Sequence, residues 1–222
     1  MVKLFNRKQM TELIKMIAVI DYGAGNIRSV YKALKHIGCE CVITRDKDEI
    51  MNADGAVLPG VGSFGDTMDT MNSYGIKDTV IEYINSEKPF LGICLGLQLL
   101  FPESEESPNV KGLSVFDGTI TKIPSGEGLK IPHIGWNRLK INEKSRLFKG
   151  IEQNAYVYFV HSYFLNASDR SIVSAQTEYG VTIDAAVEKG NVFATQFHPE
   201  KSGKTGLKIL RNFADIVKGR EE

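Results

Sequence analysis

Cys94 stands between two glycines in GICLG, where the apolar run KPFLGIC gives way to a helical pattern, LGLQLLF. Glycine–x–nucleophile–x–glycine is the form of a nucleophile elbow. A sharp strand-to-helix turn lifts the reactive atom out of the sheet, and the flanking backbone comes close to its neighbours. A helix starting there favours thiolate. Its first free N–H groups, beginning with that of Leu95, are placed to donate to a developing oxyanion. A buried cysteine between two packing glycines explains the same five residues. A free thiol has a pKa of about 8.5, so chemistry at Cys94 requires a base from elsewhere in the chain.

There are four histidines. His36 sits beside Lys35 on an amphipathic pattern and reads as solvated. His133 follows Pro132 in IPHIGWN, read as a loop, and His161 ends the strand-like YVYFV. His198 lies in QFHPE, where Pro199 forbids a continuing helix or central strand. In extended chain Glu200 shares the side of His198, and a carboxylate there would hold the imidazole's tautomer and stabilise its charge. Cys94, His198 and Glu200 thus supply nucleophile, base and orienter. HPE equally suits a helix N-terminal turn with an exposed acid. A second oxyanion donor is offered by PGVGSFG, which follows a strand expected beside the elbow strand. Gly60 and Gly62 would let backbone N–H groups near Val61 turn toward an anion, or the segment is a flexible connection.

Two nucleotide-like motifs carry less. GAGNIR follows a strand and opens a helix, but Arg28 replaces the third glycine of a dinucleotide fingerprint, and a tight turn accounts for Gly23 and Gly25. SGKT, residues 202–205, has His198 where a P-loop requires glycine, and a helix start capped by Ser202 explains it better. Cys39 and Cys41 have no further metal ligands nearby and read as buried core thiols.

The elements that must position these groups are legible. MIAVID, CVIT, GAVLP and KPFLGIC read as strands. Between them lie helical stretches with Ile27, Val30, Tyr31, Leu34 and Ile37 at helical spacing, and over 67–86 with a break near Gly75. That alternation predicts a parallel sheet covered on both faces. In the second half LSVFDGTITKI, YVYFVHSYFL, SIVSAQTEY, VTIDAAVEKG and NVFATQFH read as successive strands, closed by the helix GLKILRNFADIV. The expected fold is α/β, a mixed, mostly parallel central sheet flanked by helices. PESEESPN, 102–109, reads as an acidic surface loop.

Composition sets the limits. Lys plus Arg equals Asp plus Glu at 27 each over 222 residues, with no basic arm or acidic tail, so neither nucleic acid nor a membrane surface is the expected partner. No apolar run approaches the roughly 20 residues of a transmembrane helix, and the N-terminal stretch lacks the apolar core of a signal peptide. Three cysteines then point to reduced thiols in the cytoplasm.

The elbow GICLG with HPE downstream and PGVG upstream resembles the class I glutamine amidotransferases, whose fold is flavodoxin-like. DYGAGNIRS, PGVGSFGD, GICLGLQLLF, PHIGWN, YFVHSY and QFHPEKS together resemble the glutaminase subunits of imidazole glycerol phosphate synthase. The resemblance runs from about Ile17 to the C-terminus. Residues 16–222 are therefore expected to form the amidotransferase domain, with 1–15 an N-terminal extension of unknown structure. Met16 looks like the family's natural start.

The resemblance implies that Cys94 attacks the side-chain amide of glutamine and that His198 takes the thiol proton and gives it to ammonia. Water then hydrolyses the glutamyl thioester. It implies substrate contacts from Gln98, Glu106, Gly62, Ser162 and Tyr163, with His161 walling the pocket, and an oxyanion hole of Val61, Gly62 and Leu95. Ammonia would pass to a partner cyclase with a (β/α)8 barrel in histidine biosynthesis, near Asn26, Trp136 and Lys201. An exposed Trp136 would fit docking and a buried one would be core. No metal or organic cofactor is implied. Another ammonia-using synthase, a silent scaffold of the same fold or a cysteine peptidase on the same elbow are the rival expectations.

Overall fold

The computed structural model describes residues 15–23, 25–126 and 128–220. Its elements begin with β1 (Met16–Ile20), α1 (Ile27–His36), β2 (Glu40–Thr44), α2 (Lys47–Asn52), β3 (Gly55–Gly60), α3 (Phe64–Ser73), α4 (Ile76–Asn85), β4 (Phe90–Cys94) and α5 (Leu95–Gln98). The second half holds β5 (Glu103–Ser104), β6 (Gly118–Lys122), β7 (His133–Arg138), β8 (Lys140–Ile141), β9 (Tyr156–His161), β10 (Tyr163–Ala167), β11 (Val173–Tyr179), β12 (Val181–Lys189), β13 (Val192–Thr195) and α6 (Gly203–Val217). The extension expected over 1–15 lies outside the described residues except for Lys15, whose ammonium pairs with Asp54 at 2.8 Å.

The sheet runs β2-β1-β3-β4-β13-β12-β10-β6-β5. Its first five strands are mutually parallel. From β13 onward the pairing turns antiparallel through β12, β10 and β6, and β11 joins alongside β12. One α/β domain with a mixed sheet results.

Burial on both faces follows the two-residue strand period. In β1, Ile17 and Val19 enter the core that also holds Val30 and Leu34 of α1 and Leu210 and Phe213 of α6. Ala18 and Ile20 enter the opposite core with Met68 of α3 and Val80 of α4. β7 and β9 form a separate antiparallel ribbon, whose Val157 and Phe159 reach the first core. His36 is exposed, and Cys39 and Cys41 are buried, as expected.

Four local expectations change. The helix read over LGLQLLF stops at Gln98. Pro102 has no N–H for the next helical bond, and the carbonyls of Leu99 and Leu100 accept instead from Leu113 and Val115. YVYFVHSYFL is two strands of different sheets, β9 pairing β7 and β10 pairing β6 and β12, with the break at Ser162. His133 lies in strand β7 rather than a loop, paired directly with His161. Ser202 stands at the start of α6 but does not cap it; its hydroxyl donates to the His198 carbonyl at 2.6 Å and accepts from Tyr158 N at 2.9 Å.

The glycines of the elbow are required by clearance. A Cβ on Gly92 would stand 2.6 Å from the Gly96 carbonyl oxygen, and one on Gly96 would collide with the Leu58 carbonyl of the neighbouring strand. Backbone against backbone has nowhere to move. Gly96→Ala is therefore expected to lower the unfolding free energy by about 2–3 kcal/mol in denaturant titration; a loss below about 0.5 kcal/mol would show that β3 and α5 part easily.

Candidate active site

β4 ends at Cys94, whose backbone has a positive φ, at φ 56°, ψ −107°, outside the regions that side chains ordinarily occupy. For a non-glycine residue this is a costly conformation, on the order of 1–3 kcal/mol, met where surrounding structure enforces it. The register brings two further segments to the same edge. Gly60, the last residue of β3, pairs with Cys94. Thr195, the last of β13, pairs with Ile93, so Gln196, Phe197 and His198 continue past the elbow.

His198 is buried and its Nδ1 lies 2.8 Å from Glu200 Oε1, both side chains being fully covered. The turn carrying them is stitched to β9. The His198 N–H donates to the Tyr158 carbonyl at 3.0 Å, and Ser202 bridges Tyr158 N and the His198 carbonyl. Burial by itself would lower the proton affinity of His198; contact with the Cys94 sulfur and the Glu200 carboxylate outweighs it and lifts the pKa from 6.5 to about 9. His198 Nε2, on the ring's other side, has no hydrogen-bond partner of its own, and neither has Glu200 Oε2.

In front of Cys94 lies a cavity of about 260 Å³. Its walls are Val61, Gly62, Cys94, Leu95, Gln98 and Glu106 on one side and Val160, His161, Ser162 and Tyr163 on the other. Every residue expected as oxyanion donor or substrate contact is among them; Val160 is an addition. Gly62 has φ 121°, a conformation open to glycine. Glu106 is tied at one oxygen to the first N–H of α3, Phe64 N, at 2.7 Å, which anchors the acidic loop to that helix. Gln98 is 5% exposed, and its amide nitrogen donates to the Tyr163 carbonyl and to Gln196 Oε1, each at 3.0 Å. Gln196 Nε2 in turn donates to Cys94 Sγ at 3.7 Å.

The residues expected near a partner divide. Trp136 is 55% exposed, flanked by Ile134 at 59% and Tyr156 at 54% on the outer face of the β7–β9 ribbon. Lys201 is exposed on the turn after His198. Asn26, left-handed at φ 72°, points inward: its amide nitrogen donates to Glu200 Oε1 at 2.5 Å and lies 3.3 Å from His198 Nδ1. Its nearest role is thus to orient Glu200.

Sequence reasoning missed Gln196 and Tyr22 as well. The Tyr22 hydroxyl, buried, donates to the Pro59 carbonyl at 2.8 Å and so pins the base of the PGVG loop. Both lie within motifs already singled out, DYGAGN and QFHPE, but their partners come from other strands. Among the described residues no group of three His, Cys, Asp or Glu could hold a metal ion. A larger cleft of about 730 Å³ lies toward the opposite end of β13, lined by Arg146, Glu188 and Asn191. It contains neither cysteine nor histidine.

Comparison with known proteins agrees with this geometry. The model of the glutamine amidotransferase class-I family matches residues 18–217. The imidazole glycerol phosphate synthase subunit HisH of Caldanaerobacter subterraneus subsp. tengcongensis is 50% identical over 203 residues, covering 91% of this chain and 99% of the relative. HisH of Methanothermobacter thermautotrophicus is 50% identical over 203 residues, 91% of this chain and all of the relative. In fold, the structure of PurLQS from Thermotoga maritima superposes with a TM-score of 0.72 at 22% identity, covering 92% of this chain and 100% of that one.

The raised pKa of His198 has a definite sign. Its folded value lies above the ordinary 6.5. Its protonation therefore stabilises the fold in full below about pH 6.5 and ceases to do so as pH rises through about 9. Denaturation of the native protein should show stability declining across that window, and His198→Asn should remove much of the decline. An equal slope in both proteins would place the charge elsewhere.

Proposed function

Because this chain belongs to the glutamine amidotransferase class-I family, among the glutaminase subunits of imidazole glycerol phosphate synthase, we propose how its own residues hydrolyse glutamine and hand on the ammonia. The observation that carries the proposal is the 260 Å³ cavity with Cys94 in its wall and the buried His198–Glu200 pair that the strand beside β4 brings to the same edge, with His198 Nε2 bonded to no other group.

Glutamine enters with its side-chain amide toward Cys94. With its pKa at about 9, His198 already holds the thiol's proton at neutral pH, so the sulfur attacks the amide carbon as thiolate while Glu200 holds the imidazolium by its Nδ1–H. The tetrahedral oxygen is met by the backbone N–H of Leu95, at the start of α5, and by an N–H from Val61 or Gly62. His198 gives the proton to the nitrogen, the C–N bond breaks, and ammonia leaves a glutamyl thioester on Cys94. Water, deprotonated by the now neutral His198, attacks that thioester, and glutamate departs, leaving the thiolate beside the imidazolium. The carboxylate of Glu106 suits the ammonium end of the substrate. Gln98, His161, Ser162 and Tyr163 shape the rest of the pocket.

Ammonia requires a protected exit to the cyclase. The exposed Ile134, Trp136 and Tyr156 on the β7–β9 ribbon form an aromatic-rich face of the type that anchors interfaces, and Lys201 lies on the adjacent turn. A (β/α)8 barrel cyclase is assigned to that face, in a cytoplasmic heterodimer working in histidine biosynthesis. Among the described residues no helix is long and apolar enough to cross a membrane. Residues 16–222 are taken as the amidotransferase domain. Asn26 serves the triad first and the interface only by proximity.

Ammonia release from glutamine, measured with the cyclase and its nucleotide ligand present, should fall at least about a thousandfold in Cys94→Ala. Turnover retained within about tenfold would remove Cys94 from the mechanism.

A further inference from the structure

Two buried histidines outside the triad stand in a hydrogen-bond chain whose proton positions are forced from its ends. His161 Nδ1 lies 2.9 Å from the Tyr163 carbonyl, which can only accept, so Nδ1 carries the proton. Burial, which dominates over that hydrogen bond, holds His161 at about 3. The ring is neutral and its Nε2 is an acceptor. His133 Nδ1 lies 3.1 Å from that Nε2 and must therefore donate to it. Burial also holds His133 at about 4, so its own Nε2 accepts, facing Asn137 Nδ2 at 3.5 Å. The His133 ring is clamped between Phe159 and Tyr179, stacked at centroid distances of 4.8 and 3.8 Å.

The chain does not stop at Tyr163. That carbonyl also accepts from Gln98 Nε2 at 3.0 Å, so His161 and Gln98 share it from two directions. Gln98 passes on to Gln196 and Gln196 to Cys94 Sγ. His133 itself does not line the cavity, whereas His161, Tyr163 and Gln98 do. It lies on the buried face of β7, the strand whose outer face carries Trp136.

We propose that His133 is a positioning residue for the glutamine site: by donating Nδ1–H to His161 Nε2 it fixes the His161 ring on the Tyr163 carbonyl and thereby sets the pocket wall and the Gln98 amide that share that carbonyl. This rests on the glutaminase function proposed above. His133 touches neither substrate nor reacting sulfur, so its removal acts on substrate fit rather than on the chemical step.

The test compares His133→Asn, His133→Gln and His133→Phe, each assembled with the cyclase. An Asn amide stands where the imidazole Nδ1–H was, a Gln amide reaches past it, and Phe keeps the ring stack without any donor. The KM for glutamine should rise about tenfold in His133→Phe and His133→Gln, the effect of one buried neutral hydrogen bond, with kcat within about twofold. His133→Asn should restore KM to within about threefold of the native value. Nitrogen-15 spectra give a second readout. Native His161 should be protonated on Nδ1 with a hydrogen-bonded Nε2, and in His133→Phe the Nε2 resonance should move to that of an unbonded nitrogen. Equal KM values in the Asn and Gln variants, or a loss in kcat alone, would overturn the proposal. If the native complex shows no glutaminase turnover, the functional reading falls with the kinetic test. The His161 resonance then decides the hydrogen-bonded pair by itself, and an unmoved resonance overturns it.

Discussion

The site depends on one backbone constraint, the positive-φ conformation of Cys94 at the end of a fully buried strand. The conformation is unfavourable for a side chain with a Cβ, and it persists because the backbone around it has no room to relax. Gly92 and Gly96 approach each other, and Gly96 abuts the carbonyl of Leu58 on β3. With β3 on one side and β13 on the other, the sulfur is held at the sheet edge where Gly60 and Gln196–His198 also emerge. The PGVG loop and His198 are thus delivered by strand register rather than by loops searching for each other.

Burial then acts on the histidines in opposite directions according to their partners. His198 faces a carboxylate and a thiol and is lifted to about 9. His161 and His133 face a carbonyl and each other and are held at about 3 and about 4. The same desolvation therefore leaves a protonated imidazole beside the Cys94 sulfur and a neutral pair of fixed tautomers, His161 in the wall of the cavity and His133 behind it. A further asymmetry separates the two faces of the β7–β9 ribbon. Its inner face contributes His133, Phe159 and His161 to the interior, while its outer face exposes Ile134, Trp136 and Tyr156. The turn of His198 is bonded to Tyr158 of the same ribbon, so the exposed aromatic face and His198 are joined through that strand.

Much of this was legible in the chain because the determining signals are local. The elbow, the Pro after His198 and the Glu after that Pro are adjacent residues, and the strand–helix alternation of the first half has a clean period. What was not legible depends on which strands become neighbours. Asn26 reaches Glu200 across 174 positions of sequence, Tyr22 reaches Pro59 because β1 lies beside β3, and Gln196 meets Gln98 because β13 lies beside β4. His133 reads as a loop residue because Pro132 stands directly before its short strand, yet pairing with β9 makes it half of the buried pair. The helix after the elbow reads too long because LGLQLLF is apolar on both sides of Gln98. Its end is set by Pro102 and by distant donors at Leu113 and Val115.

Selective alkylation by a glutamine-mimicking electrophile tests the central claim most directly, because it reads the nucleophile, its pocket and its activation together. In the assembled complex, mass spectrometry of digested protein should find a single adduct on Cys94, formed faster than with free thiol and suppressed by excess glutamine. Cys39 and Cys41, buried on the strand and turn next to α1, should remain unmodified. Labelling of Cys39 or Cys41 ahead of Cys94, or labelling of Cys94 that glutamine does not slow, would contradict the assignment of this cavity as the glutaminase site.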